Sequence, residues 1–268
     1  YPLKYFAERV ASNYIDIVFP FPEDLNPQFW MPDSDTIGSM QSADLILVNG
    51  ATFEKWLTLV SLPPSKLIDT SKGFQSEYIR VGRAVTHSHG PEGEHTHGSV
   101  CFTTWLDFEL ALKQAQVIRN AFTKLVPEHS AAFRAGYQEL AGALERLHRM
   151  ALSIGGDLIG KPLLASHSFL DYFARRYELN LKSLHWHHGS VPNGIQWEEL
   201  ETLGAEHPSR WMIWEAQPVV RSIQQLKLMG IDSIIFDPFY SASPDGDFMV
   251  TMENNLKNLR RISLPLSQ

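Results

Sequence analysis

The chain has 268 residues, which is enough for one large domain or for two lobes of ordinary size. Its hydrophobic fraction of 44% supports a substantial core, and its formal net charge of −7 argues against a nucleic-acid-binding protein, which would carry a basic patch. No stretch reaches the roughly 20 apolar residues that a membrane-spanning helix needs. The single cysteine, Cys101, excludes an internal disulfide and a cysteine-based structural zinc site.

The N-terminal part alternates helical and strand patterns, and an unbroken apolar run such as Leu45–Val48 is typical of a buried parallel strand. The predicted elements, in order, are a helix with Leu3, Phe6, Ala7 and Val10 on one face, a strand over Tyr14–Phe19, a helix from Asp33 or Ser34 to Met40, a strand over Leu45–Val48, a helix over Phe53–Leu59 and a strand over Lys66–Asp69. This alternation predicts α/β architecture with a parallel sheet.

A histidine-rich segment follows at Thr86–Gly98 and holds four of the chain's eleven histidines: His87, His89, His95 and His97. Neutral imidazole is the commonest protein ligand for zinc and copper, so this spacing favours a cation site. The glycines and the proline between the histidine pairs argue against a helix or a regular strand and predict a mobile loop. The alternative is a solvated polar loop whose histidines occur by chance.

Two long helices are predicted in the middle of the chain. The first runs from Trp105-Leu106-Asp107 to about Leu125, and the second begins at Pro127, a residue suited to a first helical turn. The second carries one apolar stripe, formed by Phe133, Tyr137, Leu140, Leu144, Leu147 and Ala151, and Gly155-Gly156 is expected to end it. A helix of about 25 residues is about 40 Å long. It is either an ordinary packing helix or a rigid strut that joins two lobes.

The second half repeats the α/β alternation. The predicted elements are strands over Leu163–Ala165, Leu181–His185, Arg210–Trp214 and Ser233–Phe236, and helices over Phe169–Tyr177, Ile195–Leu203, Val219–Met229 and Phe248–Arg261. The sequence therefore predicts two α/β lobes with parallel sheets flanked by helices, joined by one long rigid helix. The boundaries are residues 1–126 for the N-terminal lobe with its loop 86–98, 127–153 for the linking helix and 154–268 for the C-terminal lobe.

Several distinctive motifs are spread over nearly the whole chain. They are Tyr1-Pro-Leu with Ala7-Glu8-Arg9, Ala43-Asp44-Leu45 with Asn49-Gly50 and Glu54-x-Trp56-Leu57, Trp105-Leu106-Asp107, Ser166-His167 with Tyr172-Phe173-Ala174-Arg175-Arg176-Tyr177, Ile213-Trp214-Glu215-Ala216-Gln217, and Phe236-Asp237-Pro238. With these motifs the chain resembles the metal-binding solute-binding proteins of zinc and manganese ABC importers. The resemblance implies two α/β lobes joined by a long helix, and it places the family's usual first strand upstream of Tyr1.

The resemblance also implies a four-ligand metal site, and this chain departs from its pattern. The family's first ligand is the histidine of an Asp-Pro-His motif, and this chain has Gln28 at that position. The second is a histidine, and here it is Thr103. The third and fourth match His167 and Asp237, and a histidine at the third position is usual in zinc members. Since zinc takes about four ligands, loop histidines would have to replace the missing ones, with His97 preferred over His95 or Cys101.

Other candidates leave alternatives open. His185, His187 and His188 follow a predicted strand and form either a second metal locus, a completion of the first, or a polar loop with one hydrogen-bonded histidine. Cys101 is either a soft metal ligand or a small buried hydrophobe. His129, His148 and His207 are interpreted as structural histidines.

The sequence thus predicts a binding protein and not an enzyme, since it contains no HExxH and no Gly-x-Ser-x-Gly motif. The resemblance implies an extracytoplasmic protein, periplasmic or at the cell surface, that passes a divalent metal to an ABC permease. Zinc is the leading ion, with manganese or copper as alternatives. We expect a monomer that meets the membrane only through the permease or an upstream anchor, its leader having been removed. The competing hypothesis is the same scaffold with a degenerate metal site that binds another ligand or a protein.

Overall fold

The computed structural model describes residues 1–22, 30–80, 100–241 and 246–263, and the strands 86–88 and 94–96 without their side chains. It divides into two compact units. Unit 1 comprises Tyr1–Leu144 with Tyr240–Ala242, and unit 2 comprises Glu145–Phe239 with Ser243–Gln268. The architecture is α/β with parallel sheets flanked by helices, as the sequence predicts.

Unit 1 contains helices α1 (Pro2–Ala11), α2 (Ser34–Ser42) and α3 (Phe108–Leu125). Strands β1 (Ile46–Val48) and β2 (Leu67–Asp69) pair in parallel, with Val48 opposite Asp69. Side chains cap the N-termini of α2 and α3, since Asp33 accepts from Thr36 N at 2.8 Å and Asp107 accepts from Glu109 N at 3.1 Å. The helix predicted over Phe53–Leu59 is a 3₁₀ helix at Lys55–Thr58.

Two sequence predictions in unit 1 were wrong. The described residues form no strand over Tyr14–Phe19, where half-buried and exposed side chains alternate without sheet pairing and Pro20 follows at once. The histidine-rich segment, which was not expected to form a regular strand, contains the antiparallel strands β3 (Thr86–Ser88) and β4 (Glu94–Thr96). Its glycines and proline all fall outside these two strands, where turn-forming residues do not interrupt pairing.

Helix α4 (Ser130–Leu158) crosses the division between the two units, so its first half belongs to unit 1 and its second half to unit 2. The predicted stripe faces inward, with Phe133, Leu140, Leu144, Leu147 and Ala151 all buried. Gly155-Gly156 does not end the helix. A Cβ at Gly155 would lie 2.3 Å from the carbonyl oxygen of Tyr177, so this glycine permits close packing inside a helix that continues to Leu158.

Unit 2 is built on one parallel sheet in the order β6-β5-β7-β8. Its strands are β5 (Pro162–Ala165), β6 (Asn180–Ser183), β7 (Trp211–Trp214) and β8 (Asp232–Ile235). Its helices are α5 (Asp171–Arg176), α6 (Gly194–Glu206), α7 (Val220–Leu228) and α8 (Phe248–Ser263). Every predicted strand and helix of this half is present within a few residues of its expected position. The apolar core on one side of the sheet includes Trp186, Trp214 and Met212, each inaccessible to solvent.

Candidate metal site

The carboxyl edge of the unit 2 sheet carries four side chains that could act as metal ligands. His185 follows β6, His167 follows β5, Glu215 follows β7 and Asp237 follows β8. Because all four strands are parallel, their carboxyl ends lie at the same edge, which is where ligands bind in open α/β sheets. The backbone ladder continues past the strands, since Ser166 N donates to Ile213 O at 2.9 Å and Trp186 N donates to Ser166 O at 2.9 Å. Backbone hydrogen bonds therefore fix this edge of the sheet up to the residues next to His167 and His185.

A buried carboxylate lies between two histidines at the centre of this edge. Glu215 Oε1 is 3.7 Å from His167 Nδ1 and 3.5 Å from His188 Nδ1. The side chains of His167 and Glu215 are both 17% exposed, so this group is largely removed from solvent. His167 Nδ1 also lies 3.4 Å from the hydroxyl of Ser166. His167, the third predicted ligand, thus belongs to a polar cluster within a single unit.

The neighbouring histidines stabilise the negative charge of Glu215. Burial by itself would raise the pKa of this carboxyl, but His188, His167 and His187 outweigh burial and hold its pKa below the ordinary value. Nδ1 of His188 is buried and makes no hydrogen bond within the described residues, so its contact with Glu215 is electrostatic. Glu215 is therefore a carboxylate at neutral pH, with imidazoles as its electrostatic partners.

Asp237, at the family's fourth ligand position, is held by a clamp from α8. Asn255 accepts from Asp237 N at 2.9 Å and donates to Asp237 O at 2.7 Å. Asp237 Oδ1 accepts from Phe239 N at 2.7 Å, which closes a turn on the residue after Pro238. Asn255 is buried on α8, so its two hydrogen bonds tie the backbone of Asp237 to a packed helix.

The three histidines after β6 occupy different environments. Trp186 packs into the core, with its ring centroid 4.7 Å from that of Trp197, and this anchors the segment. Burial lowers the pKa of His185, with Glu199 acting in the opposite direction, so its ring is neutral at pH 7. His187 is exposed and stacks on His188 with centroids 4.5 Å apart.

In unit 1, Thr103 is 1% exposed and precedes the 3₁₀ helix Thr104–Leu106. Its neighbours take part in a buried polar network. Gln114 Nε2 donates to Asn49 Oδ1 at 2.9 Å and to Thr70 Oγ1 at 3.0 Å, and Asn49 Nδ2 donates to Phe102 O at 3.2 Å. The polar residues that support this segment are thus satisfied within the protein.

The Asn49-Gly50 motif is explained by the same region. Glu54 accepts from Asn49 N at 2.6 Å and from Gly50 N at 3.1 Å. Gly50 has a φ of +79°, and a Cβ there would lie 2.0 Å from Asp69 Oδ1, so only glycine fits. Burial raises the pKa of Glu54 to about 7. These residues shape the end of β1 and are structural.

The other predicted ligands lie partly outside the described residues. Gln28, His89 and His97 are outside them altogether. His87 and His95 are in β3 and β4, where the register places them directly opposite each other. Cys101 is buried, and its backbone N donates to Ile79 O at 2.8 Å. The loop ligands therefore stay predictions.

His207 is structural, as predicted, because it is buried with Nε2 2.9 Å from Leu163 O. His148 lies 3.1 Å from the hydroxyl of Tyr177, and His129 stacks on Tyr14 with centroids 4.1 Å apart. These contacts account for three of the histidines without a metal.

Within the part of the chain that the structure describes, no group of three or more His, Cys, Asp or Glu side chains is arranged to hold a metal ion. Sequence reasoning missed Glu215 as a neighbour of His167, although an acidic residue directly after an apolar strand was a usable signal. It also missed Asn255, since a buried clamp from a distant helix leaves no local pattern. The donor chemistry present, imidazole and carboxylate, suits zinc and similar cations.

Comparison with known proteins gives one curated relative and several solved structures of the same fold. The relative, "Putative metal-binding protein" from Treponema pallidum (strain Nichols), is 23% identical over 186 residues. That match covers 68% of this chain and 58% of the relative, so the chain spans little more than half of that protein.

Two solved structures share the fold over nearly their whole length. The metal-dependent lipoprotein YcdH from Bacillus subtilis has a TM-score of 0.82 at 18% identity and covers 97% of this chain and 96% of its own. The Zn(II)-bound ZnuA-like domain of AdcA from Streptococcus pneumoniae has a TM-score of 0.80 at 17% identity, with 98% and 96% covered. At these identities the likeness shows the fold alone.

The family model described as "Zinc-uptake complex component A periplasmic" matches residues 1–262. This match confirms the resemblance that the sequence motifs indicated. The chain belongs to this family, whose members are metal-binding substrate-binding proteins of ABC importers and not enzymes.

Proposed function

We propose that this chain is an extracytoplasmic solute-binding protein that captures zinc and passes it to an ABC permease. The supporting observation is that His167 and Asp237, at the third and fourth ligand positions of the family, both follow strands of one parallel sheet at its carboxyl edge. An imidazole and a carboxylate are both good zinc ligands. The histidine at the third position favours zinc over manganese, with copper as a further alternative.

The remaining ligands would come from the histidine-rich segment. His97 is the preferred third donor because it lies six residues before Thr103 in the sequence. His87 and His95 are opposite each other in the β3–β4 register, and directly opposed Cα atoms in an antiparallel pair are about 4.5–5.5 Å apart. That spacing suits two histidines that share an ion. His89 completes the proposed set.

A zinc titration tests this function. The purified protein, dialysed against chelator, should bind zinc in competition with an indicator dye and prefer it to manganese. His167→Ala should remove tight binding, whereas His129→Ala, which removes a histidine stacked on Tyr14, should leave it intact. A wild-type protein that binds no divalent metal would refute the proposal.

The partner and location follow from the same proposal. The protein would act as a monomer outside the cytoplasmic membrane and meet it through the permease or an upstream anchor. None of the helices among the described residues is both long and apolar enough to span a bilayer. Co-purification with a permease from solubilised membranes would test the partnership.

A second candidate function is the same scaffold with a degenerate metal site, serving as a binding module for another ligand or protein. The buried Thr103 at a position where the family has a histidine favours it. A zinc-soaked crystal separates the two functions. The metal-capture function requires an ion about 2.0–2.3 Å from donors of His167 and Asp237.

A further inference from the structure

Two histidines of unit 2 direct the same ring atom at one carboxylate oxygen. His167 Nδ1 and His188 Nδ1 lie 3.7 Å and 3.5 Å from Glu215 Oε1. A carboxylate accepts hydrogen bonds and cannot donate them, so the nitrogen that faces it is the one that carries the proton. Both rings are therefore set to the tautomer with the proton on Nδ1, which leaves the lone pair on Nε2.

The surroundings of His188 strengthen this assignment. Its Nδ1 is buried and makes no hydrogen bond within the described residues, although the side chain as a whole is 32% exposed. A buried polar nitrogen needs a partner, and the oxygen of Glu215 is the acceptor beside it. The exposed third of the side chain therefore belongs to atoms other than Nδ1.

His187 shows the opposite arrangement and provides an internal comparison. Gly189 N donates to His187 Nδ1 at 3.1 Å, so that nitrogen carries the lone pair and the proton is on Nε2. The rings of His187 and His188 stack at an angle of 25°. Two adjacent histidines thus differ in tautomer, and the one beside Glu215 has the Nε2 lone pair.

We propose that Glu215 fixes His167 and His188 in the Nδ1–H tautomer and that His188 thereby serves as a second imidazole donor, beside His167, for a bound transition metal. This inference rests on the proposed metal-capture function. Histidine ligands commonly donate their other ring N–H to a carboxylate, which orients the ring and raises its basicity. In a chain with Gln28 and Thr103 at the family's histidine positions, His188 replaces one of the imidazoles that the pattern lacks.

The tautomers can be measured without metal. Nitrogen-15 NMR of the histidine rings in the metal-free protein, assigned with the variants His167→Ala, His187→Ala and His188→Ala, should show Nδ1–H for His167 and His188 and Nε2–H for His187. Glu215→Gln should increase the Nε2–H form of both partner rings. An Nε2–H tautomer at His188 in the wild-type protein would overturn the assignment, whatever the metal results.

Zinc titration tests the donor role. Glu215→Gln should weaken zinc binding by about 10- to 100-fold, the range for loss of an outer-shell partner. His188→Ala, which removes a direct donor, should weaken it at least as much, while His187→Ala should change it less than about twofold. In the His167→Ala background, Glu215→Gln should have a smaller effect than in the wild type. Equal affinities for wild type and His188→Ala would refute this inference alone, whereas no zinc binding by the wild type would refute the proposed function as well.

Discussion

Glu54 illustrates how burial of one carboxyl can set the pH dependence of stability. It accepts two backbone N–H groups at the end of β1, and burial raises its pKa to about 7 from an ordinary value of 4.5. The folded state therefore binds a proton that the unfolded chain releases more readily. This contribution to stability is complete below about pH 4.5 and is lost as the pH rises through about 7.

Glu54→Gln should remove this dependence, because an amide does not titrate. Asn49 N and Gly50 N donate to different oxygens of Glu54, so the single amide oxygen keeps only one of these bonds and the variant is less stable by an amount that does not change with pH. The wild-type free energy of unfolding should fall by up to about 3 kcal/mol, relative to the variant, between pH 4 and pH 8. Urea unfolding of both proteins at several pH values measures the difference. Parallel stability curves would show that Glu54 does not titrate in this range.

The residues of the candidate site differ in how well their roles can be predicted from the sequence. His167 and Asp237 could be named from the motifs alone, and both lie at the carboxyl edge of the sheet as strand-end residues should. Glu215 could have been placed at a strand end from its position after an apolar run, but its pairing with His167 depends on which strands are neighbours. Asn255 could not be named, because its role depends on which helix covers the edge. Those are tertiary facts that no local pattern carries.

At the scale of the element, α4 shows why a pair of glycines did not end a helix. Gly155 is buried against Tyr177, whereas Gly156 is exposed, and a Cβ added there would meet no atom within 4 Å. Glycine costs about 0.5–1 kcal/mol relative to alanine inside a helix, so it signals an end unless packing needs it. The close contact with Tyr177 requires a glycine at position 155. Burial of the long apolar stripe stabilises the helix by more than the two glycines destabilise it.

The two glycines give opposite expectations. Gly155→Ala should destabilise the protein by more than about 1 kcal/mol, because the new methyl group would meet backbone that must shift. Gly156→Ala should stabilise it by about 0.4–1 kcal/mol. Thermal unfolding of both variants measures the contrast, and destabilisation of equal size by both substitutions would contradict it.

The histidine-rich segment yields a prediction of its own. Replacing His87, His89, His95 and His97 together by Ala should reduce the amount of zinc bound per chain, since up to four imidazoles are lost. Glu92→Ala with Glu94→Ala is the matched control, because it changes the charge of the segment and keeps every histidine. Unchanged stoichiometry and affinity in the histidine variant would assign the segment no part in binding.

Regular elements were predictable where an apolar period was long, as in α4 with its stripe of buried residues. The prediction of a strand over Tyr14–Phe19 was wrong. Alternating burial occurs on any segment that is covered on one side, whether or not a neighbouring strand pairs with it. The β3–β4 pair was not predicted, because in this segment the strands exist but leave no pattern. Its strands are three residues each, too short to show a period against their glycine-rich surroundings.

For the whole molecule, zinc affinity should depend on pH through its imidazole ligands. Protons compete with the metal for histidines, whose ordinary pKa is about 6.5, so binding should weaken below about pH 6. Titrations with a chelator of known pH response, from about pH 5.5 to 7.5, measure this. Constant affinity over that range would indicate carboxylate ligation instead. The quadruple histidine variant serves as the comparison, since it should show a shallower dependence.

The division of the chain into units has a consequence for inheritance and engineering. Unit 1 includes Tyr240, whose ring packs against Phe102 and Trp105, with centroids 6.0 and 6.1 Å away, although Tyr240 comes nearly a hundred residues after Leu144. A cut after Leu144 would also divide α4 within its apolar stripe. Each unit is therefore encoded by two separate segments of the gene. Recombination that exchanges one unit between relatives must transfer two separate segments and a matching half-helix, so these proteins should diversify as wholes and not by shuffling lobes.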